Sequence, residues 1–218
     1  MAKGGGKIKR ERRKERSEVD IETWAPKTSI GKMVKSGEIK TLEQITDLGK
    51  PVLEPEIADF LFTSLESETL EVKSTQRVTD SGKRNTFRAV VALGDSQGHV
   101  GLGVGRSEEL KPAMEYAVRN AKKHMISIVG GCGSWECKCK FKHSIPRMTE
   151  GKEGSTIVSL KPAPRGLGLA ANHTVRKVLS LAGVKDIWSS SQGGSNVYNV
   201  AVATIKALDN LNKLKPSD

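Results

Sequence analysis

The sequence contains no apolar run that approaches the roughly 18 residues of a membrane-spanning helix. Its first sixteen residues hold almost no apolar side chain except Ile8, so no signal-peptide core is recognisable there. Cysteine is also scarce, and three cysteines in 218 residues indicate free thiols or metal ligands rather than a disulfide scaffold. Together these absences predict a soluble cytoplasmic protein.

Acidic residues are too few to balance the basic ones. The chain has 36 Lys and Arg against 25 Asp and Glu, a net charge of +11 and a pI near 9.6, which predicts a polyanionic partner. Residues 1–16 carry eight basic and two acidic residues, a composition typical of a disordered arm that orders on nucleic acid, with a merely solvated tail as the alternative. Residues 17–70 carry five basic and eleven acidic residues, so we expect them to cover the folded domain or contact a basic neighbour.

The middle of the chain has the pattern of an antiparallel sheet. Alternating apolar and polar residues predict strands at 70–78 and 87–93, with a cationic turn at 80–83 between them. Gly98 reverses the chain into a third strand, in which every second residue of 101–105 is glycine. One face of this strand therefore has no side chains. Such a face suits either a closely packed helix or the approach of a ribose-phosphate chain, and the sequence leaves both open.

Helical periodicity predicts a helix over 108–128 after the strands and a shorter one over 55–65 before them. The order of helix, three antiparallel strands and helix predicts an α+β domain, which we assign to residues 41–128, after a basic arm and extension at 1–40. Two further strand–helix units predict a small α/β domain over 129–218, with its helices on one face of the sheet and a Gly/Ser loop over 189–195. A Cys-rich connector at 130–144 begins this second domain.

The connector contains a cluster of metal-ligating residue types. Cys132, Cys137, Cys139 and His143 lie within twelve residues and include every cysteine of the chain, which favours a closed tetrahedral zinc site. Their spacing differs from the usual pair of Cys-x-x-Cys knuckles. A metal would order a segment that is otherwise too polar to hold itself. The alternative is three ordinary small thiols and an exposed histidine.

Basic residues on the predicted hairpin are candidates for RNA binding, because proteins bind A-form RNA mainly through shape and backbone charge. Lys83 and Arg84 follow the Gly82 turn and are expected to project into a phosphate-lined crevice, with Arg77 and Arg88 on the flanking strands. A solubilising hairpin tip is the alternative for such a Lys-Arg pair. The other predicted RNA-binding residues are Arg106, Lys122, Lys123, Lys161, Arg165, Gly166, Arg176 and Lys177.

A Gly-rich loop at 164–171 leaves an enzyme as a competing function. It is similar to the phosphate loop of the small-molecule kinases named for galactose, homoserine and mevalonate, and it precedes a predicted helix. The second domain offers no recognisable Mg-binding acid or catalytic base, so we interpret the loop as a backbone cradle for an RNA phosphate. A free-standing double-stranded-RNA-binding regulator is a third possibility, which would explain the first domain but not the second.

Four segments occur in the order typical of the family of ribosomal protein five of the small subunit, which the chain resembles over roughly residues 40–210. They are the cationic hairpin with Gly94-Asp95, the third strand, residues 159–168 and residues 181–186. The amino-acid sequence of the connector at 131–137 resembles that of the archaeal and eukaryotic branch of the family.

The resemblance implies a fold and a role. It implies an N-terminal domain similar to double-stranded-RNA-binding domains, followed by a C-terminal α/β domain. It also implies a non-catalytic structural protein that binds small-subunit rRNA near the decoding region and lines the side where mRNA enters. Contacts with ribosomal proteins four and eight of the same subunit, and support for translation accuracy and subunit assembly, are further implications.

Overall fold

A computed structural model describes residues 24–137, 139 and 141–213. The predicted arm over 1–16 lies outside these residues. The chain divides between Thr63 and Ser64 into two compact units. Within the described residues, no helix has both the length and the apolar character needed to cross a membrane.

The described part of the first unit contains three short helices: α1 (Ser29–Ser36), α2 (Leu42–Asp47) and α3 (Glu56–Leu61). Helix α1 begins where the Thr28 hydroxyl accepts a hydrogen bond from the Gly31 N–H and ends at Gly37, whose φ of 81° is left-handed. Helix α3 is shorter than the predicted 55–65, because Phe62 is already extended. The core of the unit consists of Trp24, Ile30, Val34, Ile39, Ile45 and Ile57.

Glu54 ties the residues before α1 to the segment that precedes α3. Its carboxylate accepts hydrogen bonds from the Trp24 indole (3.1 Å) and from the backbone N–H groups of Lys27 (2.9 Å) and Thr28 (2.6 Å). Burial raises the pKa of Glu54, but these hydrogen bonds outweigh burial and the net pKa is lowered. The ionised carboxylate therefore stabilises this unit.

We expect the stability contributed by Glu54 to depend on pH. A carboxylate with a lowered folded-state pKa contributes fully above its unfolded pKa of 4.5, and this contribution is lost as the pH falls through the folded value. The difference in thermal midpoint between the wild type and Glu54→Gln should therefore shrink from about pH 6 towards about pH 3. Glu38→Gln, at an exposed carboxylate, is the control. A difference that stays constant over this range would contradict the prediction.

The described part of the second unit contains two four-stranded sheets and three helices. The first sheet has the order β1-β2-β3-β4 and is antiparallel throughout, and the second has the order β5-β6-β8-β7, in which only β7 is parallel to its neighbour. The elements are β1 (Glu66–Thr79), β2 (Gly82–Gly94), β3 (His99–Ser107), α4 (Leu110–Lys123), β4 (Met125–Ser127), β5 (Thr149–Glu153), β6 (Thr156–Pro162), β7 (Leu169–Ala170), α5 (His173–Leu181), β8 (Ile187–Gln192) and α6 (Val197–Lys213).

The predicted α+β class and the three-stranded hairpin unit are confirmed, and several boundaries differ. The helix predicted to reach Ile128 ends at Lys123, because Met125 and the residues after it pair with β3 as an edge strand. The predicted loop over 189–195 begins as strand, since β8 continues to Gln192 along β6. Strand β5 was not predicted from the sequence.

The glycine face of β3 is covered by α4. A Cβ atom built on Gly103 would collide with the Ala117 carbonyl oxygen and the Ala121 backbone nitrogen. Cβ atoms built on Gly101 and Gly105 would collide with the same helix, one turn after and one turn before the Ala117 carbonyl. The packing interpretation of these glycines is therefore correct, and this face is closed to a ribose-phosphate chain.

The two sheets of the second unit share one hydrophobic core. Ala92 and Val100 of the first sheet belong to the same buried cluster as Val158 of the second sheet and Val178 of α5. The turn after β2 is fixed to the end of α5 by a hydrogen bond of 2.9 Å from the Ser96 N–H to the Leu181 carbonyl. The regions predicted as an α+β domain and an α/β domain thus meet in one continuous interior from Ser64 onward.

Candidate metal centre and nucleic-acid interface

The connector brings its four predicted ligands together. The sulfur atoms of Cys132, Cys137 and Cys139 and the Nε2 atom of His143 all lie within 4.8 Å of one another. The Cys137–Cys139 and Cys132–Cys139 sulfur distances are 3.0 and 3.4 Å, and Nε2 is 3.2 Å from the Cys132 sulfur. Zinc–sulfur bonds of about 2.3 Å in a tetrahedron separate two sulfurs by about 3.8 Å. A slight expansion of the cluster would accommodate such an ion.

Backbone pairing within the connector creates this proximity. Gly131 and Ser144 exchange two N–H···O=C hydrogen bonds of 2.8 and 2.9 Å, and the Gly133 N–H donates to the Ile145 carbonyl at 3.1 Å. A Cβ atom on Gly133 would collide with the Pro146 carbonyl oxygen. The segment therefore folds back on itself closely enough to place the first cysteine beside the histidine.

The thiols shift one another's ionisation in opposite directions. The pKa of Cys137 is lowered to about 6, because its thiolate accepts hydrogen bonds from the Cys139 thiol and from the backbone N–H groups of Cys139 and Arg165. Burial and the neighbouring Cys139 raise the pKa of Cys132 to about 11. The thiolate of Cys137 is thus favoured over that of Cys132, and a divalent cation would be needed to hold three thiolates together.

His143 is oriented by a buried carboxylate. Its Nδ1–H donates to Asp186 at 2.9 Å, which leaves Nε2 directed at the sulfurs, and both side chains are about 7% exposed. Carboxylates occupy this outer position beside many metal-bound histidines. The sequence offered no signal for Asp186, which is 43 residues away from its partner.

Asp186 also holds the Gly-rich loop. Its Oδ1 atom accepts hydrogen bonds from the N–H groups of Gly166 (3.0 Å) and Gly168 (2.8 Å). Burial raises the pKa of Asp186, but the bonds from Gly168, His143 and Gly166 outweigh burial and lower the net pKa. The two N–H groups predicted to cradle a phosphate therefore bind the protein's own carboxylate. This corrects the cradle interpretation and removes the observation that had suggested a nucleotide-dependent kinase.

The cationic hairpin projects from its sheet. Strand β3 pairs with β2 only from Phe87 onward, so residues 75–86 form a two-stranded ribbon with exposed side chains on most of its length. The turn itself consists of Asp80 and Ser81, and Lys83 and Arg84 are the first side chains after Gly82 on β2. Arg84 forms an ion pair with Glu108, although both side chains remain mostly exposed.

Two predicted RNA-binding side chains, Arg88 and Lys177, are half-buried and engaged within the protein. The Arg88 guanidinium lies 4.8 Å from the ring centroid of Tyr198 on α6, and its Nε atom is buried without a hydrogen-bond partner among the described residues. The Lys177 ammonium forms an ion pair with Glu68 (2.9 Å) and donates to the Thr69 carbonyl (3.2 Å). Lys122 and Lys123 are half-buried. The exposed residues of the predicted set are Arg77, Gly82, Lys83, Arg84, Arg106, Lys161, Arg165, Gly166 and Arg176.

Family models and individual relatives match the chain to the same protein family. The family "Ribosomal protein S5, N-terminal domain" matches residues 65–129, and "Ribosomal protein S5, C-terminal domain" matches residues 151–217. The chain is 48% identical to the small ribosomal subunit protein uS5 of Methanococcus maripaludis over 205 residues, 94% of this chain and 90% of the relative. It is 47% identical to uS5 of Methanocaldococcus jannaschii, over 88% of this chain and 89% of the relative. It is 45% identical to uS5 of Aeropyrum pernix, over 90% of this chain and 91% of the relative.

Proposed function

The chain belongs to the ribosomal protein S5 family, and we propose that it is a structural, non-catalytic constituent of the small ribosomal subunit that binds rRNA. The observation that carries this proposal is the exposed β1–β2 ribbon with Lys83 and Arg84 near its tip, in a chain of net charge +11. Such a ribbon can enter a phosphate-lined crevice without disturbing the sheet from which it projects. The exposed members of the predicted set are the proposed RNA contacts, except Gly166, whose N–H is bound to Asp186.

Finer assignments follow the family resemblance. We propose that the protein binds rRNA near the decoding region, lines the side where mRNA enters and contacts small-subunit ribosomal proteins four and eight. We also propose that residues 41–128 form the RNA-binding region and residues 129–218 a second α/β region; two separate family matches, over 65–129 and 151–217, support a division between them. Crosslinking in purified small subunits tests these neighbours, and crosslinks exclusively to other proteins or distant rRNA would contradict them.

Replacing Lys83 and Arg84 with alanine should weaken RNA binding without loss of fold. At the B-DNA value of about 0.9 per phosphate contact, loss of two contacts reduces the magnitude of the negative slope of log affinity against log salt by about 1.8. Arg84 must first leave Glu108, so its share should be the smaller one. The measurement is binding of isolated small-subunit rRNA at several salt concentrations, beside thermal unfolding.

The matched control exchanges the two cations, Lys83→Arg with Arg84→Lys, and should keep the wild-type slope because both charges remain. The alanine variant should keep the wild-type melting temperature, since both side chains are exposed. A collapse of the melting temperature with unchanged affinity per folded molecule would make these residues structural and refute their assignment.

We also propose that Cys132, Cys137, Cys139 and His143 hold one structural zinc ion. Three thiols, an oriented imidazole and a buried carboxylate behind it match the donor set and outer support of closed zinc sites. Bound zinc would supply charge for three thiolates and no reaction chemistry. Elemental analysis of the purified protein should find about one zinc per chain, and protein without metal that folds identically would refute the site.

A further inference from the structure

A cavity of about 340 Å³ lies directly beside the proposed zinc site. Its lining comes from the connector and from the loops around Arg165 and Asp186, and consists of Phe141, Lys142, His143, Arg165, Lys185 and Asp186. This volume falls in the roughly 300–1,000 Å³ range of small-molecule sites. Of its exposed lining residues, only Arg165 was predicted to bind RNA.

The rim of the cavity combines positive charge with an aromatic ring. Lys142, Arg165 and Lys185 are exposed, and the Arg165 guanidinium lies 5.6 Å from the centroid of the Phe141 ring. Phe141 is nevertheless 66% exposed, so most of its surface is open to another planar group. Aromatic rings set among cations are the usual platform for unstacked RNA bases, which pair stacking with phosphate contacts.

The one acidic group in the wall does not oppose a phosphate strongly. Asp186 is about 7% exposed, and its carboxylate already accepts hydrogen bonds from the His143 ring and the N–H groups of Gly166 and Gly168. Three hydrogen-bond donors of the protein thus already compensate the negative charge of this carboxylate. The exposed rim of the cavity is cationic.

We propose that this cavity binds one unstacked nucleotide of RNA, with the base against Phe141 and the phosphate among Arg165, Lys142 and Lys185. The proposal rests on the proposed RNA-binding function and adds a contact of a different kind. The β1–β2 ribbon would bind the phosphates of a folded RNA backbone, whereas this cavity would bind an unstacked base.

The zinc site and the cavity share their supports. Phe141 and Lys142 directly precede the ligand His143, whose carbonyl accepts hydrogen bonds from the N–H groups of Lys185 (3.0 Å) and Asp186 (3.1 Å). Asp186 in turn fixes the loop that carries Arg165. The two walls of the cavity are therefore joined through the histidine, and the nucleotide site needs the folded connector.

Two RNAs with the same number of phosphates test the proposal on the full chain: an unstructured single strand, such as oligouridine, and a fully paired hairpin. Phe141→Leu keeps an apolar side chain but removes the ring, so single-strand affinity should fall at least about fivefold. Hairpin affinity should stay within about twofold of the wild type. Lys83→Ala should weaken the hairpin complex more than the single-strand complex. Thermal unfolding should be unaffected, because Phe141 is exposed.

Trp135→Leu is the matched control, since Trp135 is an exposed aromatic of the same connector that does not line the cavity. It should leave both affinities unchanged. The proposal is overturned if wild-type protein ignores the single strand, if Phe141→Leu has no selective effect, or if Trp135→Leu has the same effect. Tight competition by free uridine monophosphate would assign the cavity to a mononucleotide instead of RNA. Absence of hairpin binding in the wild type would instead refute the proposed rRNA-binding function.

Discussion

Replacing Gly103 with alanine is expected to lower the thermal midpoint by roughly 6–12 °C. The new Cβ atom would meet the Ala117 carbonyl oxygen and the Ala121 backbone, which belong to α4 and cannot rotate away as a side chain would. The helix must therefore move off β3. Overpacking of this kind costs about 3 kcal/mol, and each kcal/mol shifts the midpoint by about 2–4 °C in a chain of this size.

Gly130→Ala is the control for this effect. A Cβ atom on Gly130 would lie 3.5 Å from the Lys142 Cβ atom, which is ordinary van der Waals contact. Its midpoint should stay within about 2 °C of the wild type, apart from a small entropic change of the unfolded chain. Equal shifts in the two variants would show that the close approach of β3 and α4 is not what limits stability.

The sequence predicts best those features whose cause is local. The strands of the hairpin repeat with a period of two residues over their own length, and the four Cys and His residues of the connector lie within twelve positions of one another. Both predictions survive in the fold, because neighbouring residues alone decide them. The glycines of β3 were ambiguous for the opposite reason, since what covers them is a helix that follows later in the chain.

Strand β5 escaped prediction because its inward face is not made of large apolar side chains. Thr149 and Gly151 face inward, and a Cβ atom on Gly151 would collide with the Ala203 carbonyl oxygen of α6. The strand is thus held by close backbone packing that a hydrophobic pattern does not record. The second half of β8 is similar, because its serines pair with β6 without alternating in polarity.

The role of Asp186 could not be predicted from sequence at all. Its three hydrogen-bond donors lie 18, 20 and 43 residues away and meet only when the second sheet has formed. The same tertiary contact explains why the Gly-rich loop was misinterpreted. A loop with left-handed glycines and free N–H groups looks like a phosphate site until the internal carboxylate that satisfies those groups is known.

Replacing Cys137 with serine is expected to cause a larger loss of stability than the Gly103 change. A structural zinc ion contributes its binding free energy to folding, and loss of a metal site is among the few single changes that cost more than about 4–5 kcal/mol. That cost corresponds to a fall in thermal midpoint of roughly 8–20 °C. Zinc content should drop well below one per chain in the same preparation.

The loss should be specific to the metal. Wild-type protein stripped of zinc should melt at the temperature of Cys137→Ser, and addition of zinc should restore its melting temperature. The melting temperature of the variant should respond neither to zinc removal nor to zinc addition. Asp186→Asn should keep the zinc but bind it more weakly, by about 10- to 100-fold. The change removes the charge behind His143 and replaces one of the two acceptor oxygens with an NH2 group, which must then face an N–H donor. A wild-type midpoint that is insensitive to metal removal would mean that the hydrogen bonds of Gly131 and Gly133 hold the connector unaided. In that case the four side chains would be neighbours without being ligands.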